Sequence, residues 1–227
     1  MSVLVTGGAG YIGSVTVDAL VDTGDDVVVL DDLSTGFADS VNKAARFVRG
    51  DIGDGDLVTR LVNEHGVDAC IHFAGKIAVG ESVGDPAAYF DSNVARPLRL
   101  LDALVGSDVA KVVLSSSAAV YGDPSTVPIP EGHPTDPTNP YGRAKLMFES
   151  ILSDYDVAYG VRSVLEVIDV VRQVTGRKVP VERGDRRAGD PTRLVADPRA
   201  ANEVLGWATT SDSDLACVTE SAWKHRS

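Results

Sequence analysis

Tyr141 and Lys145, in the segment YGRAK, are the residues whose types and spacing most directly suggest chemistry. At i and i+4 they share one face of a helix. An ammonium beside a phenol favours the phenolate and lowers its pKa toward the working pH. Such a phenolate can take a proton from a hydroxyl while a hydride leaves the same carbon. Taken alone, the spacing is equally that of a surface pair. Ser115, Ser116 and Ser117 close an apolar run, where open α/β sheets place their ligands. Ser117 is expected to hydrogen-bond the reacting oxygen, and the other two serines to satisfy backbone groups.

A departing hydride needs an acceptor, and TGGAGYIG provides for one. Gly7, Gly10 and Gly13 follow an apolar run and open a helical segment. There the backbone can approach a pyrophosphate whose charge the helix N-terminus meets. A glycine-rich turn without a ligand is the plain alternative. Asp31 closes the second apolar run, where a carboxylate can accept both ribose hydroxyls of NAD. Asp32 follows it and no base stands beside them, so NAD is expected over NADP, whose 2′-phosphate calls for a base. Asp51, in RGDI, can accept from an adenine amino group or cap a turn. Lys76, after HFAG, can reach the nicotinamide side or a phosphate, or remain a solvated surface lysine.

These residues need a scaffold, and the apolar pattern supplies one. SVLVTG, DDVVVLDD, ARFVRGD, DACIHFAG and KVVLSSS read as five strands, continuous rather than alternating, as strands covered on both faces are. Helix-length segments separate them: YIGSVTVDALVDTG, GDLVTRLVNEHG and DPAAYFDSNVARPLRLLDALVGS. The βαβ rhythm predicts an α/β fold, a Rossmann-type doubly wound parallel sheet. GDPSTVPIPEGHPTDPTNP reads as a surface loop, and a long helix is expected over 141–155. Ser163 and Glu166 then form a possible capping box, so a helix is expected to start almost where a sixth strand belongs. The sheet is accordingly expected to end after its fifth strand. A Rossmann domain over 1–162 is followed by a small α/β remnant over 163–227.

Composition narrows the partners. Acids outnumber bases 33 to 21, for a net charge of −12. Such a chain repels nucleic acid and anionic membrane, and neither is expected as a partner. The acidity fits a solvated surface or adaptation to high salt. Cys70 lies in an apolar run and Cys217 far from it, so a buried thiol in a reducing cytoplasm is expected rather than a disulfide framework. The first strand begins at Ser2, which leaves no room for a signal peptide. No apolar stretch reaches the ~18 residues of a membrane helix.

Together, TGGAGYIG, HFAG followed by AVGES, SSSAAVYGD and NPYGRAKLMFE resemble the UDP-glucose 4-epimerases of the extended short-chain dehydrogenase/reductase family. Single motifs are shared with nucleotide-sugar dehydratases, and AVGES beside SSSAAVYGD favours the epimerases. The resemblance runs over 1–162, resumes at SVLEVIDVVRQVTG, and continues through RRAGD to ADPRAANEVLGW. It implies an NAD site built from Gly7, Gly10, Tyr11, Ile12, Gly13, Asp31, Asp51, Ile52, Phe73, Ala74, Gly75, Lys76 and Asn93. Ile77 stands where the family often has its lysine. The resemblance makes Ser117, Tyr141 and Lys145 catalytic, with Lys145 also holding the nicotinamide ribose, and assigns Ser117, Arg187 and Asp190 to the UDP-sugar. It further implies a homodimer in which the segments 85–105 and 141–155 pair across a two-fold axis. At Arg162–Val164 the chain departs from the pattern. Family members continue through a sixth strand and about a hundred residues that shape the sugar-nucleotide pocket and complete the sheet. Here that block is missing. A nucleotide-sugar dehydratase or reductase, and an NAD-binding remnant without turnover, are the competing readings.

Overall fold

Leu4 points to one face of its strand while Val3 and Val5 point to the other, and all three are buried. Val28 and Leu30 against Val27 and Val29 repeat this one strand away. Successive side chains of a strand alternate between faces, so apolar residues at every position require cover on both sides. The computed structural model describes residues 1–109 and 111–164, together with Asp197 and Arg199.

The strands are β1 (Ser2–Thr6), β2 (Asp26–Asp31), β3 (Arg46–Arg49), β4 (Ala69–His72), β5 (Lys111–Leu114) and β6 (Arg162–Val164). They form one sheet in the order β3-β2-β1-β4-β5-β6, and every pairing is parallel. The order reverses between β1 and β4, so a crevice opens at their carboxyl ends, the ligand-binding position of such sheets. Helix α1 (Tyr11–Asp22) covers one face through Val17, Leu20 and Val21. On the other face lie α2 (Gly55–His65), α5 (Arg96–Val105) and α6 (Pro140–Tyr159), which bury Leu61, Leu100, Leu104, Phe148 and Leu152. Each such side chain contributes about 1.5–3 kcal/mol when fully buried. The expected Rossmann sheet and its helices are therefore present.

Two elements differ from expectation. The segment expected as one helix over 85–105 is α4 (Pro86–Phe90), a π-helical turn at Asp91–Ala95 and α5, with a separate α3 (Val79–Gly84) before it. Pro97 has no N–H for the carbonyl four residues back, so the ladder widens there. The second difference is β6. Ser163 was expected to cap a helix, but it lies in a strand whose register pairs it with Val112. An open β5 edge offers a row of unpaired backbone groups. The chain leaves α6 through Gly160, left-handed at φ 70, and arrives beside that edge. Ladder pairing overrides the local capping preference, and the sheet extends by three residues past its expected end. The boundary expected between 162 and 163 falls inside β6. Among the described residues no helix is long and apolar enough to cross a membrane. Cys70 is a buried free thiol, pushed up to about 12 by burial, and Cys217 lies outside the described residues.

Candidate active site

The glycine loop joins β1 to α1 at the crevice. Gly7 has φ +72, and a Cβ there would lie 2.5 Å from the Ala74 amide nitrogen. A Cβ on Gly13 would lie 2.2 Å from the Gly7 carbonyl oxygen. Both positions thus require glycine, one for backbone angle and space, the other for space alone. Gly10 is the N-cap of α1 and gives the helix no side-chain cap, and Tyr11 and Ile12 open its first turn. At the end of β2 Asp31 is 8% exposed. Its Oδ2 accepts from the Ala9 amide at 3.0 Å and its Oδ1 from the Leu33 amide at 2.8 Å. A carboxylate has about four acceptor positions, so roughly two remain for hydroxyl donors. Asp32 is exposed and accepts from the Ser34 amide at 2.8 Å.

Around the crevice, Asp51 takes up its turn-capping alternative. Its Oδ1 accepts from the Gly53 amide at 2.7 Å, and its Oδ2 pairs with Arg96 Nη1 at 2.6 Å. Ile52 is buried in the core. Phe73 and Ala74 leave β4 on opposite faces of the sheet, each packed against a different core cluster. Gly75 has φ 154 and sits so close to Asn93 that a Cβ would lie 2.7 Å from its Oδ1. That oxygen accepts from the Lys76 amide at 2.8 Å, and Asn93 Nδ2 donates to the Lys76 carbonyl at 2.9 Å. The π-helical turn carries Asn93, so the irregularity in the helix delivers the clamp on the loop after β4. Lys76 Nζ pairs with Glu81 at 3.0 Å and lies 5.7 Å from the centre of the Tyr89 ring, so its surface alternative describes its contacts.

Tyr141 enters through the cap of α6. Asn139 accepts from the Gly142 amide at 2.8 Å, and Pro140 follows it in the first turn. A Cβ on Gly142 would lie 2.5 Å from the Ala119 carbonyl, so glycine lets α6 begin against the 3₁₀ turn Ala118–Tyr121. Ser117 caps that turn, accepting from the Ala119 amide at 3.2 Å. This places Ser117 and Tyr141 together. Burial pushes the Tyr141 phenol up, and a hydrogen bond with Ser117 pulls it down. Lys145 is buried, and its Nζ donates to the Ser115 carbonyl at 2.9 Å. Burial pushes its amine down to about 8, opposed by the charge of Glu149. The pair therefore shares a helix face as expected, but the phenol is not lowered. Burial dominates at Tyr141, and the ammonium is directed to a backbone carbonyl.

Sequence reasoning missed three neighbours. His72 is buried and shares a 2.7 Å hydrogen bond through Nδ1 with the Thr6 hydroxyl. Burial and then the nearby Lys145 charge push its pKa down to about 3, so it is neutral. Glu149 accepts from the Ser116 hydroxyl. Its signal was in the sequence, one helical step beyond Lys145. Arg96 reaches Asp51 from a helix 45 residues away, and no local pattern announces that contact. Arg187 and Asp190 lie outside the described residues. No cluster of metal-ligating side chains occurs among the described residues.

Comparison with known proteins agrees with this geometry. The NAD dependent epimerase/dehydratase family matches residues 3–168. A UDP-glucose 4-epimerase of Lacticaseibacillus casei is 32% identical over 318 residues, covering 98% of this chain and 96% of the relative. A chain of 227 residues cannot fill such an alignment, so the relative carries a block with no counterpart here. A UDP-glucose 4-epimerase of Azospirillum brasilense is 52% identical over 163 residues, which is 72% of this chain and 47% of the relative. Among solved structures, the UDP-glucose 4-epimerase of Brucella ovis in complex with NAD superimposes with a TM-score of 0.83 at 34% identity. It covers 99% of this chain and 98% of that one.

Proposed function

From the premise that this chain belongs to the NAD dependent epimerase/dehydratase family, we propose that it is an NAD-binding, UDP-sugar 4-epimerase-like protein in which cofactor binding outlasts sugar turnover. The observation that carries the cofactor reading is the glycine cradle at the sheet's crossover point. A Cβ at Gly7 or Gly13 would collide with the backbone that shapes it, and Asp31 stands buried at the neighbouring strand end with acceptor capacity to spare. These residues fit a dinucleotide. The loop and the α1 N-terminus hold its pyrophosphate, and Asp31 its ribose hydroxyls. Asn93 keeps the loop after β4 in place.

NAD supplies reversible hydride acceptance at the sugar C4 carbon. The protein's own part is positional and electrostatic. Ser117 holds the C4 oxygen, and Tyr141 takes its proton and later returns it. Lys145, directed by the Ser115 carbonyl, would hold the nicotinamide ribose one helical turn from the phenol. A homodimer formed through the segments 85–105 and 141–155 belongs to the same reading.

The block that the relatives carry and this chain lacks follows α6, where the family's pocket walls arise. The division proposed at 162/163 separates an intact cofactor half from a shortened substrate half. Arg187 and Asp190 are left to meet UDP almost alone. Calorimetry decides between the halves: NAD is expected to bind, UDP-glucose on NAD-loaded protein to bind weakly, and UDP-galactose to convert very slowly to UDP-glucose. Ordinary turnover with tight UDP-glucose binding would show that the shortened chain rebuilds the pocket. Absence of NAD binding would overturn the cofactor reading itself. Net dehydration or net reduction of the cofactor would favour the dehydratase or reductase alternative.

A further inference from the structure

Tyr141, Lys145 and Glu149 stand at i, i+4 and i+8 of α6 and so line one face of it. Opposite that face run three consecutive serines after β5, and each meets one of them. Ser117 hydrogen-bonds Tyr141, the Ser115 carbonyl accepts from Lys145 Nζ at 2.9 Å, and the Ser116 hydroxyl donates to Glu149 Oε1. Two of these rungs belong to the site already described. The third has no part in moving a proton, yet it joins the same helix face to the same run of serines.

The groups facing the Lys145 ammonium are few. Its own helix contributes Glu149, β4 contributes His72, and the end of β5 contributes the Ser115 carbonyl. His72 is neutral and Tyr141 is held protonated by burial. Glu149 is the carboxylate whose charge favours the ammonium; burial pushes its own carboxyl up, opposed first by the Ser116 hydrogen bond and then by the Lys145 charge. A buried charge left without such a partner reverts toward its neutral form.

We propose that Ser116 and Glu149 form a positioning pair of this site: the anchored carboxylate registers α6 on the end of β5 and neutralises the buried Lys145 ammonium. This rests on the roles given above to Tyr141 and Lys145. The two functions of the pair separate by mutation. Glu149→Gln keeps an acceptor for Ser116 and removes the charge, whereas Ser116→Ala keeps the charge and removes the anchor.

The test follows the Lys145 side chain by NMR in protein labelled at lysine, its resonance identified by its loss in Lys145→Met. Thermal unfolding first checks that each variant folds. In Glu149→Gln, Lys145 is expected to titrate at lower pH than in the parent protein. Glu149→Asp is expected to lie between the two, and Ser116→Ala to move in the same direction by less. NAD affinity at alkaline pH should fall at least about tenfold in Glu149→Gln, the scale of one hydrogen bond to a charged group. Should Glu149→Gln fail to fold, Glu149→Asp and Ser116→Ala carry the same test. An unmoved Lys145 titration in the folded variants would overturn the proposal. If the parent protein binds no NAD while the titration still moves, the pair stands and the cofactor reading falls.

Discussion

Adding a single methyl group at a glycine inside the loop and at one outside it separates space from backbone angle. At Gly24, between α1 and β2, φ is +84 and nothing lies within 4 Å of a built Cβ. Gly24→Ala therefore costs only the left-handed angle, about 1–2 kcal/mol, offset by about 0.4–1 kcal/mol through a less free unfolded chain. At Gly13 the conditions are reversed. The residue is helical, so alanine gains about 1 kcal/mol of propensity. Its Cβ would meet the Gly7 carbonyl oxygen at 2.2 Å and Gly8 Cα at 2.8 Å, where real contacts essentially never fall below 3.0 Å. Both neighbours are backbone and cannot rotate away, so the loop must shift by most of an ångström. Overpacking of that kind costs about 1–3 kcal/mol, which leaves Gly13→Ala near or below the parent in stability despite its propensity gain. A loop displaced that far loses its fit to a pyrophosphate, and displacement by 1 Å is worth about 10²-fold where positioning matters. Urea unfolding and NAD calorimetry on the two variants read both effects. Gly24→Ala is expected to bind NAD as the parent does, and Gly13→Ala to lose about a hundredfold. A Gly13→Ala protein that is stabilised by the full propensity gain and binds NAD normally would refute the steric account of the loop.

Other consequences can be checked with the same protein. Tyr141→Phe is expected to lower whatever kcat the chain has by about 10²–10⁴-fold while NAD affinity changes little, since the phenol acts at proton transfer. A near-normal kcat would remove Tyr141 as the base. NAD is expected to bind more tightly than NADP at one salt concentration, because two carboxylates at the end of β2 would repel a 2′-phosphate. Tighter NADP binding would contradict the roles given to those carboxylates. His72 is held neutral in the fold, its pKa pushed down from 6.5 to about 3. The unfolded chain then binds the extra proton between those values, so His72 makes stability fall as pH drops from 6.5 to about 3. That part of the acid slope should vanish in His72→Asn, and an unchanged slope would place the titration elsewhere.

What could be read in the sequence was what short stretches of backbone decide. Gly7, Gly10 and Gly13 between an apolar run and a helical one dictate a strand–turn–helix, and Asp31 follows from where the next run stops. Tyr141 and Lys145 share a face because any helix places i and i+4 together. Contacts across the chain were not legible. Asp51 is claimed by Arg96 and Lys76 by Glu81, and the spacing of neither pair distinguishes a cofactor contact from an ion pair. The direction of the Tyr141 shift was misjudged for a related reason. Spacing reports that an ammonium is near, whereas burial, which acts more strongly on this phenol, is a property of the packed site. At Ser163 a sound local signal lost to a distant one, the unpaired edge of β5.

That edge also bears on how the two halves of the site can part company. Pairing between β5 and β6 joins Lys111 to Arg162, Val112 to Ser163 and Val113 to Val164. The pairing is seen as far as Val113 and Val164 among the described residues. Among the described residues, the support of Ser115, Ser116 and Ser117 on this side comes from α6, through Lys145, Glu149 and Tyr141. Helix α6 in turn is fixed by the Asn139 cap, by the approach of Gly142 to Ala119 and by burial of Phe148 and Leu152. None of those anchors depends on the block that the relatives have after α6. Among the described residues, Ser117, Tyr141 and Lys145 are therefore held in place by helix α6 and the end of β5 themselves.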